Sequence, residues 1–446
     1  MKNFINTLKN IWKIEELRTR ILNTLGFVLV YRLGSYIVLP GVDSEVLANA
    51  SKGSNDGIVG LINIFAGGAF SRASVFGLGI MPYISASIVI QLLGMALPYF
   101  KKMQQDGESG RKRINQITRF LTVVITLFQA PGYIATQVAK PGVVIDPSSF
   151  WWAQTILILI TGTMFVMWLG EKITDKGIGN GISLIIMIGI IARLPFAFVA
   201  EFGARLGSVG GGLIMLLVEM VLLLLVIVAS IMLVQGTRKI PVQFAKKIVG
   251  TKQVGGVRQY IPLKVNSAGV MPIIFAQAIM FIPLTIASAV GTESMSGFMT
   301  AFSNHYGLWY NLVFAILIIV FTYFYTAITV NPNQMAEDMK RNGGFVPGIK
   351  PGKNTAAFID AIMSRITFPG SLFLALIAVL PAFAVRIGIS SEFAQFYGGT
   401  SLLILVGVVL DTLQQIESHL LMRHYDGLMK SGRIKGRSSL SMSTTA

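Results

Sequence analysis

The sequence predicts an all-α polytopic membrane protein with ten transmembrane helices. Of its 446 residues, 53% are hydrophobic and only 13% are charged, whereas soluble domains carry about 25% charged residues. Uncharged apolar runs of nearly 20 residues, the length that crosses a bilayer, recur along the chain. The 46 glycines suit close packing of helices in lipid. Such continuous runs disfavour an outer-membrane barrel, whose strands alternate in polarity.

Hydropathy places the ten spans, with ends accurate to a few residues. An even number of spans puts both termini on the same side of the membrane. The predicted spans are 21–39, 73–97, 119–137, 151–170, 182–200, 213–234, 269–290, 310–330, 367–385 and 399–417. Residues 1–20 mix basic and apolar side chains without the features of a cleavable signal, which predicts an amphipathic helix on the cytoplasmic membrane surface.

The basic residues sort sharply between the two sets of loops. One set holds only Lys52, Arg72, Lys140, Arg205 and Arg386. Apart from two arginines inside spans, the remaining Lys and Arg of the total of 37 lie in the other set, which includes both terminal segments. This bias makes the second set cytoplasmic. The net charge of +17 is therefore expected on the cytoplasmic face, where acidic lipid, nucleic acid or an acidic protein would meet it.

Two cytoplasmic loops in the second half of the chain are long. Residues 235–268 contain seven basic and no acidic residues, and residues 331–366 contain the turn-rich stretch FVPGIKPGK. Small-solute transporters need only short connectors, so we interpret the two loops as a docking platform. Ordinary positive-inside topology is the alternative, and it explains the charge but not the length.

A short apolar segment precedes the second span. Ile58–Ser71 reads IVGLINIFAGGAFS, which is too short for a crossing of about 20 residues. A re-entrant piece is one interpretation, because non-helical backbone survives at membrane depth only inside protein or beside a water-filled path. A helix lying on the membrane surface is an equally good alternative.

The glycine run at 210–212 divides the spans into five plus five. Because five is odd, two similar halves would have opposite orientations, as in inverted-repeat transport folds. The expected organisation is a first half at 21–206, a second half at 207–417 and a cytoplasmic tail at 418–446.

The sequence lacks the motifs of common enzymes. Gly348–Asn354 has the wrong spacing for a nucleotide-binding loop, and neither HExxH nor GxSxG occurs. With no cysteine and three scattered histidines, we predict no catalytic residue, no metal site and no cofactor. The energy for any transport would then come from a partner or an ion gradient.

Few ionisable residues lie within the spans. Glu219 and Arg193 are near span ends and are expected to extend towards the interface. Arg32 is deeper, and its role is left open. An ion-coupled small-solute transporter, the alternative function, would need buried carboxylates near the midplane, and these are scarce here.

Isoleucines recur four residues apart on two spans. Ile80 and Ile84 share one helix face, as do Ile182 and Ile186. Around a central path they would form a dry collar. Facing lipid or neighbouring helices they would be ordinary packing residues, which is the more common situation.

Several blocks resemble the SecY family of bacterial protein-conducting channels. Together they follow the family's order from the second to the tenth span. They are FAGGAFSRASVFGLGIMPYISASIVIQLL (65–93), DGESGRKRI (106–114), MWLGEKITDKGIGNGISLI (167–185), IPLKVNSAGVMP (261–272), FVPGIKPG (345–352) and YGGTSLLI (397–404).

The resemblance implies ten helices in two pseudo-symmetric inverted halves around a pore. Residues 58–71 then correspond to a re-entrant plug helix, represented by Leu61, Ile62, Ile64, Phe65, Gly67 and Gly68. The pore ring falls on Ile80, Ile84, Ile182, Ile186, Ile274 and Ile404. A lateral gate between the second and seventh spans falls on the polar residues Gln91, Thr118 and Asn266.

The resemblance also implies a function and partners. The expected function is passive translocation of unfolded preproteins across the inner membrane and sideways release of membrane segments into lipid. The expected partners are the SecA ATPase, the ribosome, preprotein signal sequences, membrane lipids and small SecE-like and SecG-like membrane subunits. The residues expected to dock SecA or the ribosome are Arg238, Lys239, Lys246, Lys247, Lys252, Arg258 and Lys350. The chain departs from the family at Lys350, where arginine is typical, and at Thr251, where a basic pair is common.

Overall fold

The structure is a computed structural model in which helices dominate and one small sheet joins two loops. It describes residues 12, 14–43, 46–47, 63, 65–139, 142–144, 147–206, 212–244, 247–249, 252–254, 258–277, 279–280 and 306–430. The chain forms two compact units. The first comprises 1–48, 66–189 and 408–446, and the second comprises 49–65 and 190–407.

Helices make up most of the described residues. Their bounds are α1 Glu15–Gly34, α2 Met81–Ala96, α3 Pro98–Gln105, α4 Gly107–Tyr133, α5 Ser149–Lys176, α6 Gly181–Leu206, α7 Gly212–Gln235, α8 Leu308–Thr329, α9 Pro332–Arg341, α10 Lys353–Arg386, α11 Ser391–Ala394 and α12 Gly399–Lys430. A π-helical turn at Ile134–Val138 extends α4. Residues 271–277 and 279–280 are also helical.

The polytopic helical fold predicted from hydropathy is confirmed, although the count of ten crossings is not confirmed in full. A helix occupies at least part of each predicted span. Six of the described helices are long and apolar enough to cross a membrane, or seven if the bent pair Met81–Gly94 and Pro98–Gln104 forms one span. α1 and α4 fall outside that set: Arg18, Arg20 and Arg32 interrupt the apolar part of α1, and polar residues such as Thr118 and Gln129 lower the mean hydropathy of α4. The seventh predicted span is described only as far as 280.

The predicted second span begins later than expected. Residues 73–80 form turns, and α2 starts only at Met81. The backbone explains the delay, because Ala73 and Gly79 have positive φ angles of 47° and 56°, which a helix cannot contain. Pro82 then occupies the first turn of α2, where its missing N–H costs no hydrogen bond.

The two long basic loops fold together instead of remaining irregular. β1 (Thr237–Phe244) pairs antiparallel with β4 (Arg258–Lys264), and β5 (Gly344–Phe345) adds to the other edge of β1. β2 (Lys247–Val249) and β3 (Lys252–Val254) form a separate two-stranded sheet. The three-stranded sheet covers a small core that includes Ile240, Val242, Leu263, Met339, Val346, Ile359 and Met363.

The second unit has a membrane core in which α8 packs along α10. Tyr310, Phe314 and Ile318 of α8 are buried with Leu374 and Ile377 of α10. These α8 positions recur every four residues, so they form one stripe while the other faces of the helix remain available to lipid.

The chain ends agree only partly with the predicted organisation. Of the predicted amphipathic segment 1–20, the structure describes residue 12 and residues 14–20, and the last of these already belong to α1. The predicted tail at 418–446 is helical up to Lys430, where the description ends. Gly210 and Gly211, the predicted boundary between the halves, lie outside the described residues.

Candidate functional site

Residues 66–80 form a buried, non-helical segment in the first unit. Ala66, Ala69 and Ala73 are almost fully buried. Gly67 and Gly68 adopt positive φ angles of 62° and 88°, which glycine tolerates without steric cost. A run of turns with this much buried backbone needs hydrogen-bond partners from neighbouring elements.

The stretch that follows α1 supplies several of those partners. Leu39 N donates to Ala73 O at 2.8 Å, and Val75 N donates to Ile37 O at 2.9 Å. Gly34 faces the ring of Phe76 so closely that a Cβ there would collide with it. From residue 73 onwards the turn segment is therefore attached by backbone pairing to residues 37–39, which follow α1.

The helix α4 holds the same segment from another direction. Tyr133 Oη donates a hydrogen bond to Phe70 O at 2.7 Å, and the two rings lie 4.6 Å apart. The hydroxyl oxygen of Tyr133 also lies only 2.7 Å from the position that a Cβ on Gly77 would take. One buried tyrosine thus fixes both the middle and the end of the turn segment.

The structure describes three of the six predicted plug residues. Phe65 is buried, and Gly67 and Gly68 lie in the turns just considered. Leu61, Ile62 and Ile64 are outside the described residues. The assignment of a plug stays a prediction.

Four of the six predicted pore isoleucines belong to the first unit. Ile80 is buried, and its carbonyl accepts a hydrogen bond from Ile84 N at 3.1 Å, so the two stand one turn apart at the start of α2. Ile186 of α6 is buried as well. Ile182 is half-buried, and its Cγ1 would lie 3.0 Å from a Cβ on Gly170 of α5. Gly170 therefore allows α6 to approach α5 closely.

The other two pore positions belong to the second unit. Ile404 in α12 is buried, and Ile274 is half-buried in the helix that begins at 271. The ring that these six residues would form together stays a prediction.

The predicted gate residues are distributed in the same way. Gln91 of α2 bonds to Ser87 Oγ at 3.4 Å, and Thr118 of α4 donates to Ile114 O at 2.9 Å, so each is paired within its own helix. Asn266, in the second unit, is buried, and its side-chain carbonyl has no hydrogen-bond partner among the described residues.

The predicted docking residues lie on or near the sheet. Arg238 and Lys239 of β1 and Lys350 in the turn before α10 are exposed. β1 and β5 are paired, which brings the two long loops together in one sheet. Lys247, Lys252 and Arg258 begin β2, β3 and β4, whereas Lys246 lies outside the described residues.

A buried polar cluster in the second unit was not predicted. Arg205 at the end of α6 forms ion pairs with Glu201 of the same helix at 2.9 Å and with Glu219 of α7 at 2.5 Å. Tyr397 Oη donates to Glu219 O at 2.7 Å. Burial and the neighbouring Glu219 and Glu201 carboxylates raise the pKa of Tyr397, so it remains a protonated donor.

The expectation that Glu219 extends to the interface is therefore wrong. Its side chain is only 1% exposed, because a cationic partner 14 positions earlier in the chain folds against it. Opposite charges near the ends of two consecutive spans were the available sequence signal. Among the described residues, no group of three or more His, Asp or Glu side chains is arranged to hold a metal ion.

Comparison with known proteins identifies a family. A sequence model of the SecY family matches residues 74–413. A curated relative from Halalkalibacterium halodurans, the protein translocase subunit SecY, is 44% identical over 434 residues, covering 95% of this chain and 99% of the relative.

Solved structures share the fold. One, described as the structure of a protein conducting channel, has a TM-score of 0.64 at 16% identity and covers 90% of this chain and 92% of its own. Another has a TM-score of 0.60 at 18% identity with the same coverage. It is described as showing that the plug domain of the SecY protein stabilises the closed state of the translocation channel and maintains a membrane seal.

Proposed function

This chain belongs to the SecY family, and on that premise we propose that it is the channel-forming subunit of a protein translocase. It would translocate unfolded preproteins and release membrane segments sideways into lipid. The observation that carries this proposal is the buried, non-helical segment 66–80 among helices long enough to cross a membrane. Backbone of this kind is tolerated at membrane depth only within protein or along a water-filled path.

The six pore isoleucines would form the constriction of that path. A narrow ring of branched apolar side chains offers water no hydrogen bonds, so it dewets and blocks ions. The same side chains can adapt to an extended polypeptide of any sequence, which advances roughly 3.3–3.6 Å per residue. The burial of Ile80, Ile186 and Ile404 is compatible with this role.

The segment around Phe65, Gly67 and Gly68 would act as the plug. The relative whose plug domain is described as stabilising the closed channel supports this assignment, since it shares the fold. Gly67 and Gly68 allow the sharp turn by which such a segment could fold back inside the first unit.

Gln91, Thr118 and Asn266 would form the polar part of a lateral gate. Hydrogen bonds between membrane helices contribute only about 0.6 kcal/mol each. Each central Leu or Ile of a signal segment gains about 0.3–0.6 kcal/mol on entering lipid. An apolar signal segment can therefore outweigh a weak polar contact. Among the described residues the side-chain carbonyl of Asn266 has no hydrogen-bond partner, which supports a role in which its partner changes.

The three-stranded sheet would carry the cytoplasmic docking surface. Arg238, Lys239 and Lys350 present positive charge in solvent, which suits both the polyanionic RNA of a ribosome and acidic patches on SecA. SecE-like and SecG-like subunits and surrounding lipids would complete the complex. We place it in the inner membrane with both termini cytoplasmic, in agreement with the distribution of basic residues.

The channel would be passive, without an enzymatic activity of its own. The alternative, an ion-coupled transporter, gains little from the carboxylates of Glu201 and Glu219. Both bond to Arg205, and Glu201 also accepts a hydrogen bond from Ser390 N at 3.0 Å. Carboxylates tied in this way at helix ends serve architecture more readily than ion transfer.

Reconstitution tests the proposal directly. The purified complex in vesicles, supplied with SecA and ATP, is expected to move a signal-bearing preprotein into a protease-protected lumen. The matched control is the same preprotein without its signal segment. Failure to protect the signal-bearing form, with SecA shown to hydrolyse ATP, would contradict the proposed function.

A further inference from the structure

We propose that Arg32 is a positioning residue that holds residues 66–72 in the closed conformation of the channel. This inference rests on the proposed plug. Arg32 Nη1 donates a hydrogen bond to Gly67 O at 2.9 Å, across 35 positions of sequence. It gives a function to Arg32, the one basic residue of the predicted first span.

Arg32, in the last turn of α1, needs a polar partner. A guanidinium group within a membrane helix is costly unless it bonds to backbone carbonyls, pairs with a carboxylate or reaches water. None of the ion pairs formed by the described residues involves Arg32. The carbonyl of Gly67 is therefore its principal polar contact, supplemented by Tyr36 Oη at 3.4 Å.

Gly67 is shaped to present that carbonyl. A Cβ on this residue would lie 3.0 Å from Arg32 Nη1 and 3.0 Å from the Cα of Gly189, and its φ of 62° already disfavours other residues. The turn thus brings bare backbone against both the guanidinium group and α6, and a Cβ at this position would push these neighbours away.

A second arginine reinforces the attachment. The guanidinium groups of Arg32 and Arg72 lie 5.2 Å and 4.2 Å from the centre of the Tyr36 ring. Residues 66–72 are therefore linked to the end of α1 at both of their ends, through Gly67 and through Arg72. Cation–π contacts of this kind are individually weak and can be broken and remade.

The two parts of the turn segment are held differently. From Ala73 onwards, backbone hydrogen bonds to Leu39 and Ile37 fix the chain to the stretch that follows α1. Residues 66–72 are held across the unit by side chains, chiefly Arg32 and Tyr133. Ala73, with its positive φ of 47°, lies between them. A segment attached by a few side chains beside a backbone-paired anchor can move without unfolding its support, and Arg32 sets how readily it does so.

The test is the resting ion conductance of the complex in planar bilayers before any preprotein is added. Arg32→Gln is expected to raise this conductance about tenfold, the factor that corresponds to about 1.4 kcal/mol. Arg32→Lys keeps the positive charge but loses the planar, forked arrangement of N–H donors, so it should give an intermediate rise. Arg20→Gln is the matched control. Arg20 belongs to the same helix and also donates to a backbone carbonyl, that of Gly177 at 3.3 Å, away from segment 66–72.

A second variant approaches the contact from its other side. Gly67→Ala introduces a Cβ that would press on Arg32 and Gly189, so it should also raise the resting conductance. This variant keeps the test possible if the Arg32→Gln protein does not accumulate. In a double-mutant cycle the two changes should raise it by less than the product of their single effects, because they act on one contact.

Conductance unchanged in Arg32→Gln, an equal rise in the Arg20→Gln control, or fully multiplicative effects in the double mutant would each overturn the proposal. Preprotein translocation by the unsubstituted complex separates this inference from the proposed function. If that complex translocates but Arg32→Gln leaks no more than it does, only the role of Arg32 is refuted.

Discussion

Arg205 Nη2 donates a hydrogen bond to Glu219 Oε1 at 2.5 Å, joining the end of α6 to α7 in the second unit. The same nitrogen also bonds to Gly388 O at 2.6 Å, and Glu201 accepts from Ser390 N. One guanidinium group therefore ties two helices to the connection that follows α10. Since both carboxylates are about 1% exposed, the arginine is what makes their burial tolerable.

Removing that arginine should destabilise the protein strongly. Arg205→Met would leave two buried carboxylates without their cation, a change that typically costs about 3–5 kcal/mol. We expect a clearly lower unfolding midpoint, measured by thermal or denaturant unfolding of the detergent-solubilised protein. Lys112→Met is the control, because its pair with Glu108 is solvent-exposed and should contribute at most about 1 kcal/mol. Equal midpoints for the two variants would contradict the structural role of Arg205.

The proposed constriction makes a prediction about leakage. Replacing Ile84 and Ile186 together with serine should let water enter the ring, so the resting ion conductance in planar bilayers should rise. The control is Ile191→Ser, which changes a partly exposed isoleucine of the same helix α6 as Ile186. Resting conductance equal to that of the parent would exclude these residues from the seal.

The proposed lateral gate can be locked. The chain has no cysteine, so a pair introduced at Gln91 and Asn266 would be the only thiols available to a bifunctional crosslinker. We expect crosslinking to block membrane insertion of signal segments and a cleavable linker to restore it. Single-cysteine variants treated identically are the controls. Full insertion after complete crosslinking would place the exit elsewhere.

The proposed docking surface should respond to charge reversal. Arg238→Glu together with Lys239→Glu places two negative charges on β1. We expect this double variant to bind SecA or ribosomes more weakly, and the binding is measured at low and at physiological salt. The loss should be larger at low salt, because ions screen exposed charges.

A matched control for docking lies in a different predicted cytoplasmic loop. Lys112→Glu reverses an exposed charge outside the sheet, where Lys112 pairs only weakly with Glu108. If this variant impaired binding as much as the β1 variant, net charge and not the sheet would explain the effect.

The sequence by itself determined the membrane class, the presence of a helix in each predicted span and the family. These properties are local, because an apolar run of sufficient length forms a helix in lipid whatever its neighbours are. The sequence blocks between residues 65 and 404 were enough to identify the resemblance to the SecY family. The start of α2 was missed, because positive φ angles at Ala73 and Gly79 override an apolar composition.

Tertiary structure alone decided which distant groups meet. Arg32 finds Gly67, Arg205 finds Glu219 and Gly388, and β1 pairs with both β4 and β5. Each of these contacts depends on the rotation of a helix or the register of a strand, which hydropathy does not encode. A charge or carbonyl buried in the membrane must still be satisfied, so the sequence shows that a partner is needed, whereas packing selects which residue it is.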